Sequence, residues 1–484
     1  MIDLLLTNGT VITMDPQRRI IDTGAVAVDK GRIIKVGKAS EVGQQFQANK
    51  VIDCRDHIIL PGLIDAHGHA GHTMFKNLLM EHSSFWMKIL TNTYKHFVTD
   101  DFWYYEGKLS ALERLKAGVT TGVSVMGSMP RSDDAVFGCN HARAYAEAGL
   151  REIVCPGPCN PPWPHEFSRW KDGKRIQKLV TYEEVLEGME GVIQTWNHGA
   201  NDRIRVFATP FVIVSSVEPS SKTPADRAIE LTDHDRYQMR RIREIADKYH
   251  TRIHSDAFGG MIRMVYQQDY ALLGPDIHLQ HLSGISTDEV EILAETGTHV
   301  SSAGSGFGGS RCPVTSLISA GVPVAISTDG TPFDLLQMAR KFRLIHTLIS
   351  QDPFDLPAGK ILEMITIDAA KVVGWENEIG SLEENKKADI ITIDLRAAHL
   401  APNFLPVHRL IFEATGSDVD NVIVDGQMVM ESHKVLTLNE EEVLSQAQEE
   451  SLSTIERAGL NEYLSVPPGF WGRAHLYLGK PSQP

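Results

Sequence analysis

Two histidines separated by one residue are the first feature of the sequence that could do chemistry. His67 and His69 stand in "PGLIDAHGHAGH", directly after a short apolar run. In a β-strand, residues i, i+2 and i+4 share one face, so Asp65, His67 and His69 are expected to point the same way. Imidazole nitrogens and carboxylate oxygens are suitable ligands for Zn²⁺ or Fe²⁺, and an open position leaves room for water. The pair therefore predicts part of a metal site.

The elements that must position this pair form a long alternating pattern. From about Leu60 to Gly374, short apolar runs alternate with amphipathic stretches such as "DRYQMRRIREIADKYH". About eight runs separated by helical segments favour a parallel (β/α)8 barrel over an open doubly wound sheet, and a Gly-rich phosphate fingerprint after the first strand is missing. The C-terminal mouth of such a barrel carries the chemistry, and "AHGH" ends the first run. The predicted strands are "GLIDAHGH", "GVTTGVSVM", "LREIVCPG", "IRVFATPF", "TRIHSDA", "IHLQHL", "THVSSAG" and "VPVAISTDG".

The two ends of the chain have a different texture. The first 60 residues and the segments "IGSLEENKKADIITIDL" and "DNVIVDGQMVMESHKVL" are short β patterns broken by Gly and Asp, which predicts one small sheet built from both ends. The tail "NEEEVLSQAQEESLSTIERAG" has apolar residues at helical spacing and predicts a helix. We expect the small sheet from residues 1–59 and 379–437, the barrel from 60–378 and a helical tail from 438–484.

Composition excludes several partners. The formal charge of −15 at pH 7 opposes binding to nucleic acid or to anionic lipid. No apolar run approaches the roughly 20 residues of a membrane-spanning helix. Five cysteines are sparse and odd in number, and the N-terminus has no signal-peptide pattern, so we expect reduced thiols in the cytoplasm. We also expect a homo-oligomer.

Several motifs together resemble the amidohydrolase superfamily, particularly the branch of cytosine, guanine and adenosylhomocysteine deaminases and triazine hydrolases. They are "LPGLIDAHGH", "GVTTGVSVM", "IHLQHLSG", "ISTDG", "ILEMITIDAAKVVGW" and "IGSLEENKKADIITIDL", and the resemblance extends to about Leu436. It implies a barrel flanked by a β-sandwich from both chain ends, with His67 and His69 on the metal. Asp329 would be a metal neighbour and general base, and His281 would touch the nucleophilic water or the substrate. Without a role in the site, Asp329 would be an aspartate of a turn and His281 a histidine at the end of a strand.

The predicted fifth strand departs from the family pattern. Relatives carry H-x-H-x-x-E there, whereas this chain has "RIHSDAFGG" with no glutamate. Either His254 is the metal ligand, which completes the commoner set of three histidines and one aspartate, or an ungapped alignment gives that position to Asp256. We favour His254 and keep Asp256 as a ligand or as a carboxylate facing the substrate. The fourth strand offers no residue to bridge two ions, so we expect one divalent metal, Zn²⁺ before Fe²⁺.

Three further residues are weaker candidates for substrate binding. His72 follows the first strand, and Trp86 lies in "HSSFWMKIL", where an aromatic ring could stack on a flat substrate or simply pack a helix. Asp334 stands beyond the predicted catalytic aspartate in "GTPFD".

The predicted function is hydrolysis of a small molecule. The leading hypothesis is a mononuclear metal-dependent hydrolase that cleaves a C–N bond of an amide, urea or carbamate, or a similar bond to a leaving group, in a small cyclic molecule. The alternative is an aminohydrolase that deaminates a purine, pyrimidine or triazine ring. A non-catalytic relative would have lost its ligands, whereas His67, His69, His281 and Asp329 are all present.

Overall fold

The chain is an α/β protein in the computed structural model, which describes residues 1–78, 83–171, 173–217, 230–268, 272–304, 312–466 and 470–471, with only the backbone of 83–87. Its strands are β1 (Ile2–Ile12), β2 (Ile20–Asp29), β3 (Arg32–Lys38), β4 (Ala48–Asp53), β5 (His57–Pro61), β6 (Leu63–Ala70), β7 (Val119–Met126), β8 (Arg151–Cys155), β9 (His165–Lys171), β10 (Lys174–Val180), β11 (Ile204–Val206), β12 (Ile253–Phe258), β13 (Ile277–Ser283), β14 (His299–Ala303), β15 (Val324–Ser327), β16 (Ile390–Asp394), β17 (Val419–Val424), β18 (Gln427–Glu431) and β19 (Lys434–Val435).

Helices alternate with most strands of the central region, and others lie toward the two ends of the chain. They are α1 (Ala39–Gln45), α2 (Ser83–His96), α3 (Phe102–Lys116), α4 (Val136–Ala148), α5 (Tyr182–Trp196), α6 (Gly199–Asp202), α7 (Asp233–Tyr249), α8 (Met261–Tyr266), α9 (Thr287–Thr296), α10 (Val314–Ser319), α11 (Leu335–Ser350), α12 (Ala358–Met364), α13 (Ile367–Val372), α14 (Pro406–Phe412) and α15 (Glu440–Arg457). None of the helices in the described ranges is long and apolar enough to cross a membrane.

The strands that carry the candidate site form two parallel sheets. Within the described residues, one four-stranded sheet has the order β11-β8-β7-β6 and the other has the order β12-β13-β14-β15. Strand β7, VTTGVSVM, is buried at every position, as expected for a parallel strand covered on both faces. Each of the eight strands predicted for this region overlaps one of these observed strands. The order strand, helix, strand repeats between them, which places their C-terminal ends on one side.

The two parallel sheets approach each other at both edges. Ala208, just after β11, forms a parallel bridge with Ile253 of β12. At the other edge the backbone N–H of Asp329, just after β15, donates to the carbonyl oxygen of His67 in β6 at 2.9 Å. The first and last strands of the series are therefore held together next to the candidate site.

A separate sheet combines the two ends of the chain. It has nine strands in the described residues, in the order β19-β18-β17-β16-β5-β1-β2-β3, with β4 also paired to β1. Strand β1 is long enough to pair with β4 through Ile2–Thr7 and with β5 through Thr10 and Val11. Strand β16 joins β5 in antiparallel register, which links the C-terminal strands to the N-terminal ones. The predicted sheet from both chain ends is thus observed.

One element of the central region is an insertion. After β8, strands β9 and β10 form an antiparallel hairpin within the segment "CNPPWPHEFSRWKDGKR" and its continuation. The capped start of α5 follows, where the Thr181 hydroxyl accepts from the backbone N–H of Glu184 at 3.3 Å and the Glu184 side chain accepts in return. This reciprocal cap ends the hairpin and restarts the strand–helix alternation.

Candidate metal centre

The candidate site lies at the C-terminal ends of four of the parallel strands. His67 and His69 are in β6, His254 and Asp256 in β12, His281 in β13, and Asp329 directly follows β15. All of these residues except Asp329 are buried, and the Asp329 side chain is 13% exposed. The structure therefore brings together every residue that the sequence proposed for metal binding and catalysis.

Three donor atoms form a nearly equilateral triangle. His67 Nε2 lies 3.3 Å from His69 Nε2, and Asp329 Oδ1 lies 3.5 Å from the first and 3.4 Å from the second. Ligands of a tetrahedral Zn²⁺ ion with bonds of 2.0–2.1 Å are separated by about 3.4 Å. Two imidazoles and one carboxylate with this spacing fit a single divalent metal ion.

The backbone orients His69 and Asp329 toward each other. The carbonyl oxygen of Gly127, just after β7, lies 2.7 Å from His69 Nδ1. Since a carbonyl only accepts, Nδ1 donates this hydrogen bond and Nε2 faces Asp329. Asp329 itself has a left-handed backbone, with φ of 63°. Such a conformation is uncommon for a non-glycine residue and is typical of functional loops.

A second group of donors shares His67 with the triangle. The ligand atoms of His67, Asp256 and His281 all lie within 4.8 Å of one another. His281 Nε2 is 3.7 Å from Asp256 Oδ2 and 3.9 Å from Asp329 Oδ1, so it faces both carboxylates. The His281 ring stacks on Phe258 at 5.5 Å between centroids, which fixes its plane. The two groups therefore have His67 in common.

The charges of the site suit a cation. Burial would raise the pKa of Asp329, but His281, His67 and His69 hold it well below its usual range. Burial lowers the pKa of His67 and holds that of His254 well below its usual range. The carboxylate is therefore ionised and these two imidazoles are neutral, which are the protonation states that bind metal.

Asp65 does not join this group, so the expectation that it shares a face with His67 and His69 is wrong. Its neighbours Ile64 and Ala66 pack in one apolar cluster with residues of β7 and β8. The pairing of β6 with β7 shifts register between Asp65 and Gly68. Such an irregularity breaks the simple alternation of side chains. Asp65 consequently points away from the histidines.

The three weaker candidates have different surroundings. The His72 ring stacks on His69 at 4.9 Å, and its Nδ1 lies 3.4 Å from the Tyr94 hydroxyl. Trp86 lies in α2, and its side chain is outside the described part of the chain. Asp334 caps α11 by accepting from the backbone N–H of Gln337 at 3.0 Å, and it also accepts from Gly416 N at 2.9 Å. These bonds give Asp334 a structural role, and its contact with substrate stays a prediction.

A buried ionic network behind the site was not foreseen from the sequence. Arg114 of α3 donates to Asp65 at 3.1 Å and to Glu152 of β8 at 3.1 Å, and all three side chains are fully buried. Asp65 also accepts from the backbone N–H and the hydroxyl of Thr328, at 2.9 and 2.7 Å. Thr328 precedes Asp329, so this Arg114 network supports the backbone that carries the site. The spacing of Glu106, Ser110 and Arg114, four residues apart on one helix face, is the signal that could have revealed it.

Known proteins resemble the chain over nearly its whole length. The model of the amidohydrolase family matches residues 58–429. A 5-methylthioadenosine/S-adenosylhomocysteine deaminase of Syntrophobacter fumaroxidans is 29% identical over 91% of this chain and 96% of its own length. The protein of the same name from Desulforudis audaxviator is 30% identical over 94% of this chain and 99% of its own.

Solved structures with the same fold include zinc-containing enzymes. An adenosine deaminase from Xanthomonas campestris with bound zinc has a TM-score of 0.77 and 20% identity, over 94% of this chain and 99% of its own. An atrazine chlorohydrolase from Arthrobacter aurescens complexed with zinc has a TM-score of 0.73 and 19% identity, over 93% of this chain and 100% of its own. The match of the family model to most of the chain, with the motifs quoted above, shows that the chain belongs to the amidohydrolase family.

Proposed function

We propose that the chain is a metal-dependent hydrolase that cleaves a C–N or similar leaving-group bond in a small, cyclic molecule. Membership of the amidohydrolase family confirms the prediction of a hydrolase that acts on C–N bonds. The observation that carries the metal-dependent proposal is the triangle of His67, His69 and Asp329, whose edges of 3.3–3.5 Å suit one divalent ion. Zn²⁺ is the ion we propose, with Fe²⁺ as the alternative, because both accept imidazole and carboxylate ligands.

We infer that the two four-stranded parallel sheets belong to one (β/α)8 barrel spanning residues 60–378. The bridge between Ala208 and Ile253 and the bond from Asp329 N to His67 O support closure at both edges. The nine-stranded sheet would be the β-sandwich of residues 1–59 and 379–437, followed by the helical tail of 438–484. In such a barrel the site occupies the mouth where substrates enter.

We propose different roles for the residues of the site. His67, His69 and Asp329 would hold the ion, which supplies a water of lowered pKa and polarises the substrate. Asp329 is also the candidate general base, because its ionised carboxylate can accept a proton and later deliver it to the leaving group. His281 faces Asp256 and Asp329 and can bond to the water or to the substrate. Burial of the cluster excludes bulk water from these steps.

The sequence of β12, the fifth strand of the predicted barrel, favours substrates whose hydrolysis needs no second proton carrier. Addition of water to an aromatic ring requires a proton on a ring nitrogen, and relatives use the glutamate of H-x-H-x-x-E. Ala257 lies three residues beyond His254, and Gly259 lies three beyond Asp256; neither carries a proton. Amides, ureas, carbamates and rings with a good leaving group need only the ion and one carboxylate, which Asp329 provides.

A second candidate function is deamination of an adenosine-like compound. The observation that favours it is the likeness of the chain, at 29–30% identity over more than 90% of its length, to proteins named as deaminases of such compounds. The carboxylate of Asp256, 3.7 Å from His281, would then be the proton carrier in place of the missing glutamate.

The decisive experiment measures turnover of the zinc-loaded protein on two sets of compounds. One set holds cyclic amides, ureas, carbamates and halogenated triazines, for which loss of substrate is measured. The other holds adenosine derivatives and aminated bases, for which release of ammonia is measured. We expect turnover in the first set and its abolition in Asp329→Asn, whose amide cannot act as a base. Efficient turnover of the second set alone would replace the leading function by deamination. Turnover unaffected by Asp329→Asn would refute the proposed mechanism.

A further inference from the structure

We propose that Asp256 is the metal ligand contributed by β12, the fifth strand of the predicted barrel, and that His254 is a positioning residue that fixes the tautomer of His67. This inference rests on the proposed metal-dependent function and decides between the two alternatives that the sequence left open. It assigns the fifth-strand ligand position to a carboxylate, whereas the sequence favoured a histidine.

Both ring nitrogens of His254 already have partners. Its Nδ1 lies 3.2 Å from the backbone carbonyl oxygen of His278, the residue beside it in β13. Its Nε2 lies 2.8 Å from His67 Nδ1. The His254 ring packs on the His278 ring at 4.4 Å between centroids, and both rings are fully buried. The imidazole is thus held in place with no nitrogen directed at Asp329.

The direction of these two bonds sets the lone pair of His67. A carbonyl oxygen accepts, so His254 must donate from Nδ1, and its neutral ring then accepts at Nε2. His67 must therefore donate from Nδ1, which leaves its Nε2 unprotonated. That nitrogen is the one 3.3 Å from His69 Nε2 and 3.5 Å from Asp329 Oδ1. His254 consequently fixes the tautomer in which His67 can bind a metal ion.

Asp256 has the opposite environment. Its side chain is 8% exposed, and the His281 Nε2 that faces it is 3.7 Å from its Oδ2, beyond hydrogen-bond distance. A buried carboxylate is costly unless hydrogen bonds or an opposite charge compensate it. Its ligand atom also lies within 4.8 Å of those of His67 and His281. A cation held by these three side chains would compensate the buried carboxylate.

Metal affinity, rather than activity, separates the two roles. We would load each purified variant with Zn²⁺, determine the metal per chain by mass spectrometry, and measure affinity by competition with a chromogenic chelator. Asp256→Asn keeps the size of the side chain but removes its charge, and it should weaken binding more than 100-fold. His254→Gln can keep an acceptor oxygen near the place of Nε2 but is a poor ligand, so it should stay within about threefold of the native affinity. His254→Ala loses the acceptor and should weaken binding about 10- to 100-fold.

Two controls make each outcome decisive. His299→Gln changes a buried histidine at the start of β14, the opposite end of the strands, and should keep native affinity. His67→Ala should abolish binding whichever fifth-strand residue is the ligand. Retention of metal by His67→Ala would overturn the proposed metal site as a whole. Loss of metal by His67→Ala and His254→Gln, with native affinity in Asp256→Asn, would overturn the present inference alone.

Discussion

Removal of Arg114 tests whether the buried ionic network behind the site carries real charges. The guanidinium contacts two carboxylates at 3.1 Å, and all three side chains have no exposure to solvent. It also donates to the Tyr145 hydroxyl at 2.8 Å and packs on the Phe333 ring at 4.3 Å. Arg114→Met keeps much of the length and apolar packing of the side chain while it removes the charge.

The expected cost follows from the carboxylates that remain. Breaking a buried ion pair by removing one partner destabilises a protein by about 3–5 kcal/mol, because a buried charge is left without compensation. Glu152 retains His141 at 3.2 Å, whereas Asp65 loses its only ion-pair partner among the described residues. The uncompensated charge of Glu152 alone would therefore place the destabilisation of Arg114→Met in the lower half of that range. The uncompensated charge of Asp65 moves the expected destabilisation toward the upper end.

Urea unfolding of the native chain and of matched variants measures this cost. Arg143→Met is the control, since Arg143 lies on the neighbouring helix α4, is 48% exposed, and is 4.0 Å from Glu147; its removal should cost less than about 1 kcal/mol. In the double variant Arg114→Met/Glu152→Gln, removal of one carboxylate charge should recover part of the loss. A change below 1 kcal/mol in Arg114→Met, equal to that of Arg143→Met, would refute the reasoning that these carboxylates are buried as ions.

Three other properties follow from the structure. Burial would lower the pKa of His141, but Glu106 and Glu152 raise it to about 9. The resulting stabilisation is complete below the unfolded pKa of about 6.5 and is lost as the pH rises through 9, so the difference in unfolding free energy between the native chain and His141→Gln should shrink by about 3 kcal/mol from pH 6 to pH 10. A difference that stays constant over this range would contradict the prediction. Asp334→Ala removes the cap of α11 and should cost about 1 kcal/mol in urea unfolding, against no change if the cap is irrelevant. Chelation of the metal-loaded native chain should lower its melting temperature, since a ligand at 1,000 times its Kd stabilises by about 4 kcal/mol, whereas His67→Ala should melt at the same temperature with or without chelator.

The sequence predicted the strands and the first half of the site because both depend on local patterns. Runs such as "GVTTGVSVM" are rich in β-branched residues and are bounded by glycine, and each of the eight runs overlaps an observed strand. His67 and His69 are two residues apart, so one strand is enough to place them on one face. Asp329 could be added because the motif "ISTDG" resembles that of the amidohydrolase superfamily, and it directly follows another parallel strand, β15.

The rest of the site depends on contacts between distant parts of the chain. His254 and Asp256 are also two residues apart, so the alternation of a strand treats them alike. They differ because the His254 ring packs on His278 and bonds to its carbonyl oxygen, which depends on the pairing of β12 with β13. Asp65 was misplaced because an irregularity in the pairing of β6 with β7 cannot be seen in the alternation of one strand.

The identity of the fifth-strand ligand and the choice of substrate are linked through Asp256. A carboxylate that binds the ion is a weaker base, because the positive charge lowers its pKa, and this disfavours a metal-bound Asp256 as the carrier of a proton to a ring nitrogen. Asp329 would be subject to the same effect, but the proton it accepts would come from a water whose pKa the ion also lowers. If Asp256→Asn loses metal, Asp256 is a ligand, and the described site has no further carboxylate beside Asp329 that could protonate a ring. Compounds with a good leaving group are then the expected substrates. If Asp256→Asn keeps metal but releases no ammonia from adenosine derivatives, Asp256 is the proton carrier and deamination follows. One substitution, measured for metal affinity and for ammonia release, therefore decides both questions.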